Sequence, residues 1–156
     1  MNFNTNMEIE IIDKRTEEEK LDSEFKWFPT RVHEEDAGAD VYSSKTISLA
    51  PGDVAVIGLR FGLKLPKGLA GFIFPRSSMS KKGLTCELPP IDAGYRGEVH
   101  AIVTNNTSIS QLITKGERIG QLVIMPVVLA NFTTNNCGEP DYTDRGSGAF
   151  GSTGKN

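Results

Sequence analysis

Short alternation of apolar and polar residues is the feature that most limits what this chain can fold into. Over residues 59–65 every second residue is Leu or Phe, and Arg, Gly and Lys stand between them. This period of two predicts a strand with one buried face. Shorter runs of the same kind occur at residues 7–12, 47–57, 69–74, 98–104 and 119–129. Many short strands separated by turns predict a single all-β domain, a sandwich or a barrel.

Signals for helices are scarce. The best candidate is one or two turns at residues 77–82, with Ser77 as the N-cap and Gly83 placed to end the helix. The charged segment 15–28, which contains Glu17-Glu18-Glu19-Lys20, fits either a helical turn or a loop, and we prefer the loop. Pro126 interrupts the last apolar run, which predicts an edge position, a bend or a bulge there. The expected fold is therefore all-β with one short helix.

The character of the sequence changes near its C-terminal end. Four glycines fall between residues 144 and 154, together with Arg145 and Phe150. Glycine-rich composition is typical of a flexible segment, while the sequence Gly151-Ser152-Thr153-Gly154 could wrap an anion with backbone N–H groups. We predict two parts: a β domain at residues 1–136 and a flexible C-terminal arm at residues 137–156.

Composition and charge exclude several classes of protein. The chain of 156 residues is long enough to bury a core, and no run approaches the roughly 18 apolar residues of a membrane helix. Its net charge of −3 argues against direct binding of nucleic acid, although a few local arginines could still hold a small anion. The two cysteines lack metal or disulfide spacing, and nothing resembles a secretion signal. We expect a cytoplasmic protein, or one in the host cytoplasm if a virus encodes it.

Two segments contain groups that could hold phosphate or position it. In residues 37–41 a Gly-x-Asp pattern ends at Asp40, and such a pattern is usually a turn whose Asp bonds its own backbone. In residues 75–78, Arg76, Ser77 and Ser78 offer a guanidinium and two hydroxyls at the start of a short helix. These groups suit phosphate oxygens, and the alternative is an ordinary helix cap with a surface arginine.

Two further segments could act on the bound molecule. Residues 91–98 form what looks like a tight hairpin in which Asp92 could orient and deprotonate a water, and Tyr95 could pack on a sugar. The alternative is a solvent-exposed turn. Residues 116–122 look like a hairpin turn that runs into a strand, with Gln121 as the only residue of chemical interest. The glycine-rich tail is the fifth segment.

Taken together and in this order, the five segments closely resemble the five motifs of the trimeric deoxyuridine triphosphatases (dUTPases), over residues 7–154. The resemblance implies a β jelly roll and a homotrimer with shared active sites. It also implies Mg²⁺-dependent cleavage of dUTP to dUMP and pyrophosphate, which lowers dUTP and supplies dUMP for dTTP synthesis.

The resemblance also implies a role for each matching residue. Asp92 would activate the water that attacks the α-phosphorus, and Tyr95 would pack under the deoxyribose and exclude a 2′-hydroxyl. The other implied substrate contacts on the jelly roll are Ile91 and, from a neighbouring subunit, Arg76, Ser77, Ser78 and Gln121. Asp40 would lie near the water shell of Mg²⁺, which the phosphates and waters chiefly hold.

The tail would come from a third subunit and close over a neighbouring active site. Phe150 would then stack on uracil, and Arg145 would meet the γ-phosphate. The phosphate chain would be covered by Gly151, Ser152 and Thr153. A closing tail of this kind would exclude bulk water and commit the substrate.

Two departures from the family pattern affect these expectations. Pro89-Pro90 stands where the family commonly has a glycine and a small apolar residue. Because proline has no N–H, recognition of uracil in this hairpin must differ in detail. The segment 15–28 is also longer than is typical.

Two other functions are compatible with parts of the pattern. A dCTP deaminase shares the fold and an Arg-Ser-Ser segment, but it places a catalytic Glu deep in the strand after the hairpin. Here residues 99–103 contain no acid, and Glu98 stands before that strand. A jelly-roll binding or regulatory protein would keep the scaffold alone. It would not need Asp92, Tyr95 and the tail motif together.

Overall fold

The computed structural model describes residues 7–134 and residue 143. Within them the chain forms β-strands joined by turns, with two short helices. The elements in chain order are β1 (Glu10–Asp13), α1 (Glu17–Lys20), β2 (Ala39–Tyr42), β3 (Ile47–Leu49), β4 (Val54–Gly58), β5 (Phe61–Lys64), β6 (Leu69–Pro75), α2 (Ser77–Lys81), β7 (Leu84–Glu87), β8 (His100–Asn105), β9 (Gln111–Ile113) and β10 (Arg118–Pro126).

Four small antiparallel sheets build the domain. Their strand orders are β1-β5, β2-β10-β6, β3-β9 and β4-β8-β7. Most neighbours in these sheets are distant in the sequence, as in a jelly roll, where strands cross from one sheet to the other. The prediction of an all-β, jelly-roll-like fold is confirmed.

Alternation over residues 59–65 correctly identifies part of the core. Leu59, Phe61, Leu63 and Leu65 are all at most 4% exposed. The regular strand is shorter than the pattern and spans Phe61–Lys64. It begins only after Arg60 because that residue has a φ of 63° and turns the chain.

The charged segment contains a helix that we did not expect. Glu17–Lys20 form α1, so the preferred loop is wrong at these residues. A capping box explains the helix, because the Thr16 side chain accepts from the Glu19 N–H and the Glu19 side chain accepts from the Thr16 N–H.

The predicted helix at residues 77–82 is present as α2, with a different cap. Arg76 is the N-cap and Ser77 is the first helical residue, so the predicted Ser77 cap is wrong. Gly83 has a φ of 78° and follows the helix end, as expected. Among the described residues no helix has the length and apolar character needed to cross a membrane.

Pro126 is the last residue of β10. It pairs with Leu69 of β6, while the pairing of β10 with β2 stops at Leu122. The proline therefore occupies a section of β10 that is paired on one side, as expected for an edge position. The irregularity in β10 lies elsewhere, between Arg118 and Gly120.

Asn105, at the end of β8, is a fully buried polar residue. Its amide nitrogen lies 2.9–3.1 Å from the carbonyl oxygens of Leu49, Ala50 and Ile109. Its side-chain oxygen accepts from the N–H and the hydroxyl of Thr107. One side chain thus ties β8 to the loops that precede β4 and β9.

We expect Asn105→Ala to lower the free energy of unfolding by about 3 kcal/mol, because buried carbonyl oxygens would lose their donor. Chemical denaturation measures the change. Asn106→Ala is the matched control, since this exposed neighbour loses only a hydrogen bond to Thr85. Equal effects of the two substitutions would contradict this account of Asn105.

Candidate active site

The sheet β2-β10-β6 brings three of the predicted segments together. In β10, Gln121 lies opposite Asp40 of β2 on one side and opposite Phe74 of β6 on the other. Arg76 follows directly after β6. Residues that are far apart in the sequence therefore meet at one end of a three-stranded sheet.

Asp40 is held between two arginines. Its Oδ1 lies 2.9 Å from Nε of Arg76, and its Oδ2 lies 3.1 Å from Nη1 of Arg118. The Asp40 side chain is only 12% exposed. Its backbone pairs with that of Thr30, so Asp40 belongs to a strand and the turn alternative is wrong. The carboxylate orients both guanidinium groups.

Gly38 provides space for Gln121. A Cβ atom at position 38 would lie 2.7 Å from Oε1 and 2.9 Å from Cβ of Gln121. The glycine of the Gly-x-Asp pattern is thus needed for close packing between neighbouring strands. The Gln121 amide donates to the carbonyl oxygen of Pro75 at 3.4 Å, which places it beside the start of α2.

A cleft of about 650 Å³ opens beside these residues, and we call it the basic cleft. It is lined by Lys26, Thr30, Arg31, Val32, Tyr42, Arg76, Ser78, Gly116, Glu117 and Arg118. Four of these side chains are cationic and one is anionic, which suits a polyanionic ligand. Ser77, although exposed, does not line this cleft.

Sequence analysis missed three of the cationic residues in the basic cleft. Arg118 stood inside a predicted segment, yet only its ion pair with Asp40 reveals that it belongs with Arg76. Lys26 and Arg31 lie at the end of the charged segment and just beyond it, and nothing in their local sequence marks them as site residues.

Residues 91–98 lie in the loop that joins the antiparallel pair β7 and β8, and contain a turn instead of the predicted tight hairpin; we keep the name hairpin for this segment. Its backbone is held by hydrogen bonds to β6 and within the segment. The N–H and C=O of Ile91 both pair with Gly71 of β6, at 2.8 and 3.0 Å. The Tyr95 N–H donates to the Asp92 carbonyl oxygen at 3.0 Å, and the Arg96 guanidinium donates to the carbonyl oxygens of Ala93 and Tyr95. The hairpin presents Asp92 at the surface as an exposed residue.

Tyr95 lies across Gly97. A Cβ atom at position 97 would be 2.2 Å from the Tyr95 hydroxyl oxygen. That hydroxyl donates to the main-chain carbonyl oxygen of Glu98 at 2.9 Å. The ring is 44% exposed, so one of its surfaces is free to meet a ligand.

A second cleft of about 290 Å³ contains this hairpin, and we call it the hairpin cleft. It is lined by Val56, Ile73, Glu87, Pro89, Pro90, Ile91, Asp92, Tyr95, Glu98, Val99, His100 and Ile102. Within the described part of the chain, the two clefts have no lining residue in common. Asp92, predicted to activate water, therefore lies in a different cleft from Arg76 and Ser78, predicted to contact phosphate.

Five predicted site residues lie outside the described part of the chain. They are the tail residues Arg145, Phe150, Gly151, Ser152 and Thr153. Within the described part, no group of three or more His, Cys, Asp or Glu side chains could hold a metal ion.

Comparison with known protein families finds one match that spans most of the chain. The model of the dUTPase family matches residues 26–154. A deoxyuridine 5′-triphosphate nucleotidohydrolase from Debaryomyces hansenii is 36% identical and aligns with 97% of this chain and 99% of its own length. The enzyme of the same name from Thermobifida fusca is 40% identical over 90% of this chain and 79% of its own length.

Solved structures with the same fold include dUTPases from bacteriophages. The dUTPase of Staphylococcus bacteriophage 80alpha, bound to dUpNHpp, is 27% identical with a TM-score of 0.81, over 96% of this chain and 100% of that one. The dUTPase of phage phi11 of S. aureus, described with a structural Mg(II) ion, has a TM-score of 0.73. The alignment covers 86% of this chain and 100% of the phi11 chain. At 24% identity, this match shows a similar fold only.

We expect Gly97→Ala to displace the Tyr95 ring, because the added methyl group would occupy the position of its hydroxyl end. The ring is a partly exposed side chain and can swing away, so the loss should stay near 1 kcal/mol, about one hydrogen bond. A crystal structure and a denaturation curve measure both effects. Gly94→Ala is the matched control, since no heavy atom beyond its chain neighbours lies within 4 Å of that Cβ position. An unmoved Tyr95 ring in Gly97→Ala would contradict this packing.

Proposed function

The chain belongs to the dUTPase family and is a dUTP diphosphatase, and we propose that its Asp92 activates the water that attacks the α-phosphorus of dUTP. One observation carries the proposal. Asp92 lies exposed on a hydrogen-bonded hairpin, in the same cleft as Tyr95. Within the described residues its carboxylate forms no ion pair, so no neighbouring cation competes with a water molecule for it.

Asp92 would act as a general base. Its carboxylate would orient a water molecule and take a proton from it as the water attacks in line with the departing pyrophosphate. Tyr95 would pack against the deoxyribose and leave no room for a 2′-hydroxyl. Its ring is suited to this position because Gly97 beneath it has no side chain and Glu98 holds its hydroxyl.

The basic cleft would bind the triphosphate. Arg76 and Ser78 line it, and we assign the phosphate contacts to these two residues together with Ser77 and Gln121 beside them. We add Arg118 to these proposed contacts, because its guanidinium pairs with the same carboxylate, Asp40, as Arg76 does. Guanidinium groups that are already oriented lose less freedom when a phosphate binds, and they stabilise charge that develops in the transition state.

We propose that three copies of the chain form a homotrimer with shared active sites. The separation of the two clefts supports this arrangement, because a triphosphate held by one chain would meet Asp92 of another. Large apolar side chains are also exposed, among them Val54 and Val56 on β4, Leu112 on β9, and Val128 and Phe132 after β10. Exposed apolar surface of this kind is typical of protein–protein contacts.

We propose that Mg²⁺ is the cofactor and that it arrives on the substrate. The described residues provide no cage of carboxylates, and both oxygens of Asp40 already accept from arginines. This donor set fits a hard cation held by phosphate oxygens and water, with Asp40 reaching it through a water molecule. Bound there, Mg²⁺ would neutralise phosphate charge.

Recognition of uracil would rely on groups other than the start of the hairpin. Pro89 and Pro90 have no N–H, and the N–H of Ile91 already donates to Gly71. Ile91 would therefore contact the substrate through its side chain. We propose that residues 137–156 form an arm that closes over a neighbouring site and stacks Phe150 on the base. Arg145, Gly151, Ser152 and Thr153 would then cover the phosphates.

We also assign the protein to the cytoplasm. Cys86 is a free thiol in the core, and burial raises its pKa to about 11. A buried, protonated thiol of this kind is compatible with a reducing compartment.

Release of pyrophosphate from dUTP, dCTP, dTTP and UTP with Mg²⁺ tests this assignment, with ammonia followed in parallel. We expect rapid release from dUTP alone. Asp92→Asn should lower turnover by about a thousandfold, the range expected for a general base, while dUTP still binds. Glu34→Gln, an exposed acid outside both clefts, is the control.

Three results would contradict the proposal. Ammonia from dCTP would indicate deaminase chemistry, and wild-type turnover by Asp92→Asn would remove Asp92 from the mechanism. Absence of turnover on every nucleotide would favour a binding protein that keeps only the scaffold.

A further inference from the structure

Arg60 has an unusual backbone conformation for its residue type. Among the described residues it is the only non-glycine residue with a positive φ, at 63°. A side chain makes this region unfavourable, and such residues persist when their surroundings hold them there. The contacts of Arg60 must therefore hold it in this conformation.

One set of contacts links Arg60 to the N-terminal segment. Its Nε lies 2.8 Å from Oε1 of Glu19 in α1, and its carbonyl oxygen accepts from the Lys14 N–H at 3.0 Å. The other oxygen of Glu19 accepts from the Thr16 N–H in the capping box. Both oxygens of Glu19 are thus engaged, one within the helix and one on Arg60.

A second set links Arg60 to the catalytic hairpin. Oε1 of Glu98 accepts from the Arg60 N–H at 2.9 Å and lies 3.3 Å from its Nη1. The main-chain carbonyl oxygen of Glu98 is the acceptor for the Tyr95 hydroxyl. Glu98 also lines the hairpin cleft together with Asp92 and Tyr95.

The three charged groups are partly buried. The side chains of Arg60, Glu19 and Glu98 are 32%, 17% and 23% exposed. Ion pairs that are partly removed from water are screened less than pairs on the open surface. Burial by itself raises the pKa of Glu19, but its hydrogen bonds from Thr16 and Arg60 outweigh that effect and lower the pKa overall. Glu19 therefore stays ionised opposite Arg60.

We propose that Arg60 is a positioning residue that connects helix α1 to the catalytic hairpin. By holding Glu98 it fixes the acceptor for the Tyr95 hydroxyl, and so it sets the position of the ring that selects deoxyribose. This inference rests on the proposed role of Tyr95 at the sugar. It gives the extended segment 15–28 a function, since Glu19 in this segment is one of the two carboxylates that pair with the Arg60 guanidinium.

Arg60→Gly is the decisive variant, because glycine adopts a φ of 63° without strain and the fold should survive. It removes both ion pairs of the guanidinium, while the turn and the backbone N–H that donates to Glu98 remain, so the variant tests the side chain alone. We expect the ratio of kcat/KM for dUTP to kcat/KM for UTP to fall about tenfold, since small displacements of positioning groups have effects of this order. Amide hydrogen exchange in residues 91–98 should become faster in the full-length protein without substrate.

Two further variants separate the parts of the network. Glu19→Gln removes the charge on α1 and one of its two acceptor oxygens but leaves Glu98 paired with Arg60, and should shift both readouts in the same direction by a smaller factor. Lys64→Ala is the matched control, because Lys64 forms an exposed ion pair with Glu10 across β1 and β5, outside both clefts. It should leave the selectivity and the exchange rates at wild-type values.

The proposal is overturned if Arg60→Gly matches Lys64→Ala in both selectivity and hydrogen exchange. A wild-type enzyme that does not distinguish dUTP from UTP would contradict the role of Tyr95 in the proposed function. Hydrogen exchange would still decide whether Arg60 holds the hairpin, so the two failures are distinguishable.

Discussion

The pairing of β10 with both β2 and β6 is the interaction on which the candidate site depends. It sets Gln121 beside Asp40 and carries the chain from β6 to Arg76. Asp40 can then hold Arg76 and Arg118 together. Two adjacent cations would repel each other if they stood alone, and the carboxylate between them allows both to line the basic cleft. The phosphate binding that we propose for this sheet therefore depends on strand register.

A second constraint is the separation of the basic cleft from the hairpin cleft. Phosphoryl transfer requires the attacking water and the phosphate charges to be positioned together. In one chain Asp92 and Arg76 lie in different clefts. A site in an isolated chain would therefore lack either the proposed water-activating carboxylate or the proposed phosphate contacts. The homotrimer that we propose would solve this problem, and it would also cover the exposed apolar side chains of β4. Oligomerisation and activity are therefore linked in our account.

Sequence patterns predicted most of the fold and part of the site. The alternation at residues 59–65 identified core residues correctly, whereas the tight hairpin predicted around Asp92 is a turn within the loop between β7 and β8. The pattern could not reveal the turn at Arg60, because that conformation depends on Glu98, which is 38 residues away. The ion pair of Arg118 with Asp40 likewise spans two strands. Helix α1 is different, since its capping box is local and the signal at Thr16 was available in the sequence.

Activity of mixed assemblies tests most directly whether the site is shared between copies of the chain. Asp92→Asn and Arg76→Ala chains should each be inactive alone. When the two are co-assembled in equal amounts, roughly a quarter of the sites should combine an intact Asp92 with an intact Arg76 from another chain. Our account predicts that this fraction of wild-type dUTP hydrolysis returns on mixing. Mixed assemblies that stay inactive would show that both residues must come from one chain, and would contradict the shared site.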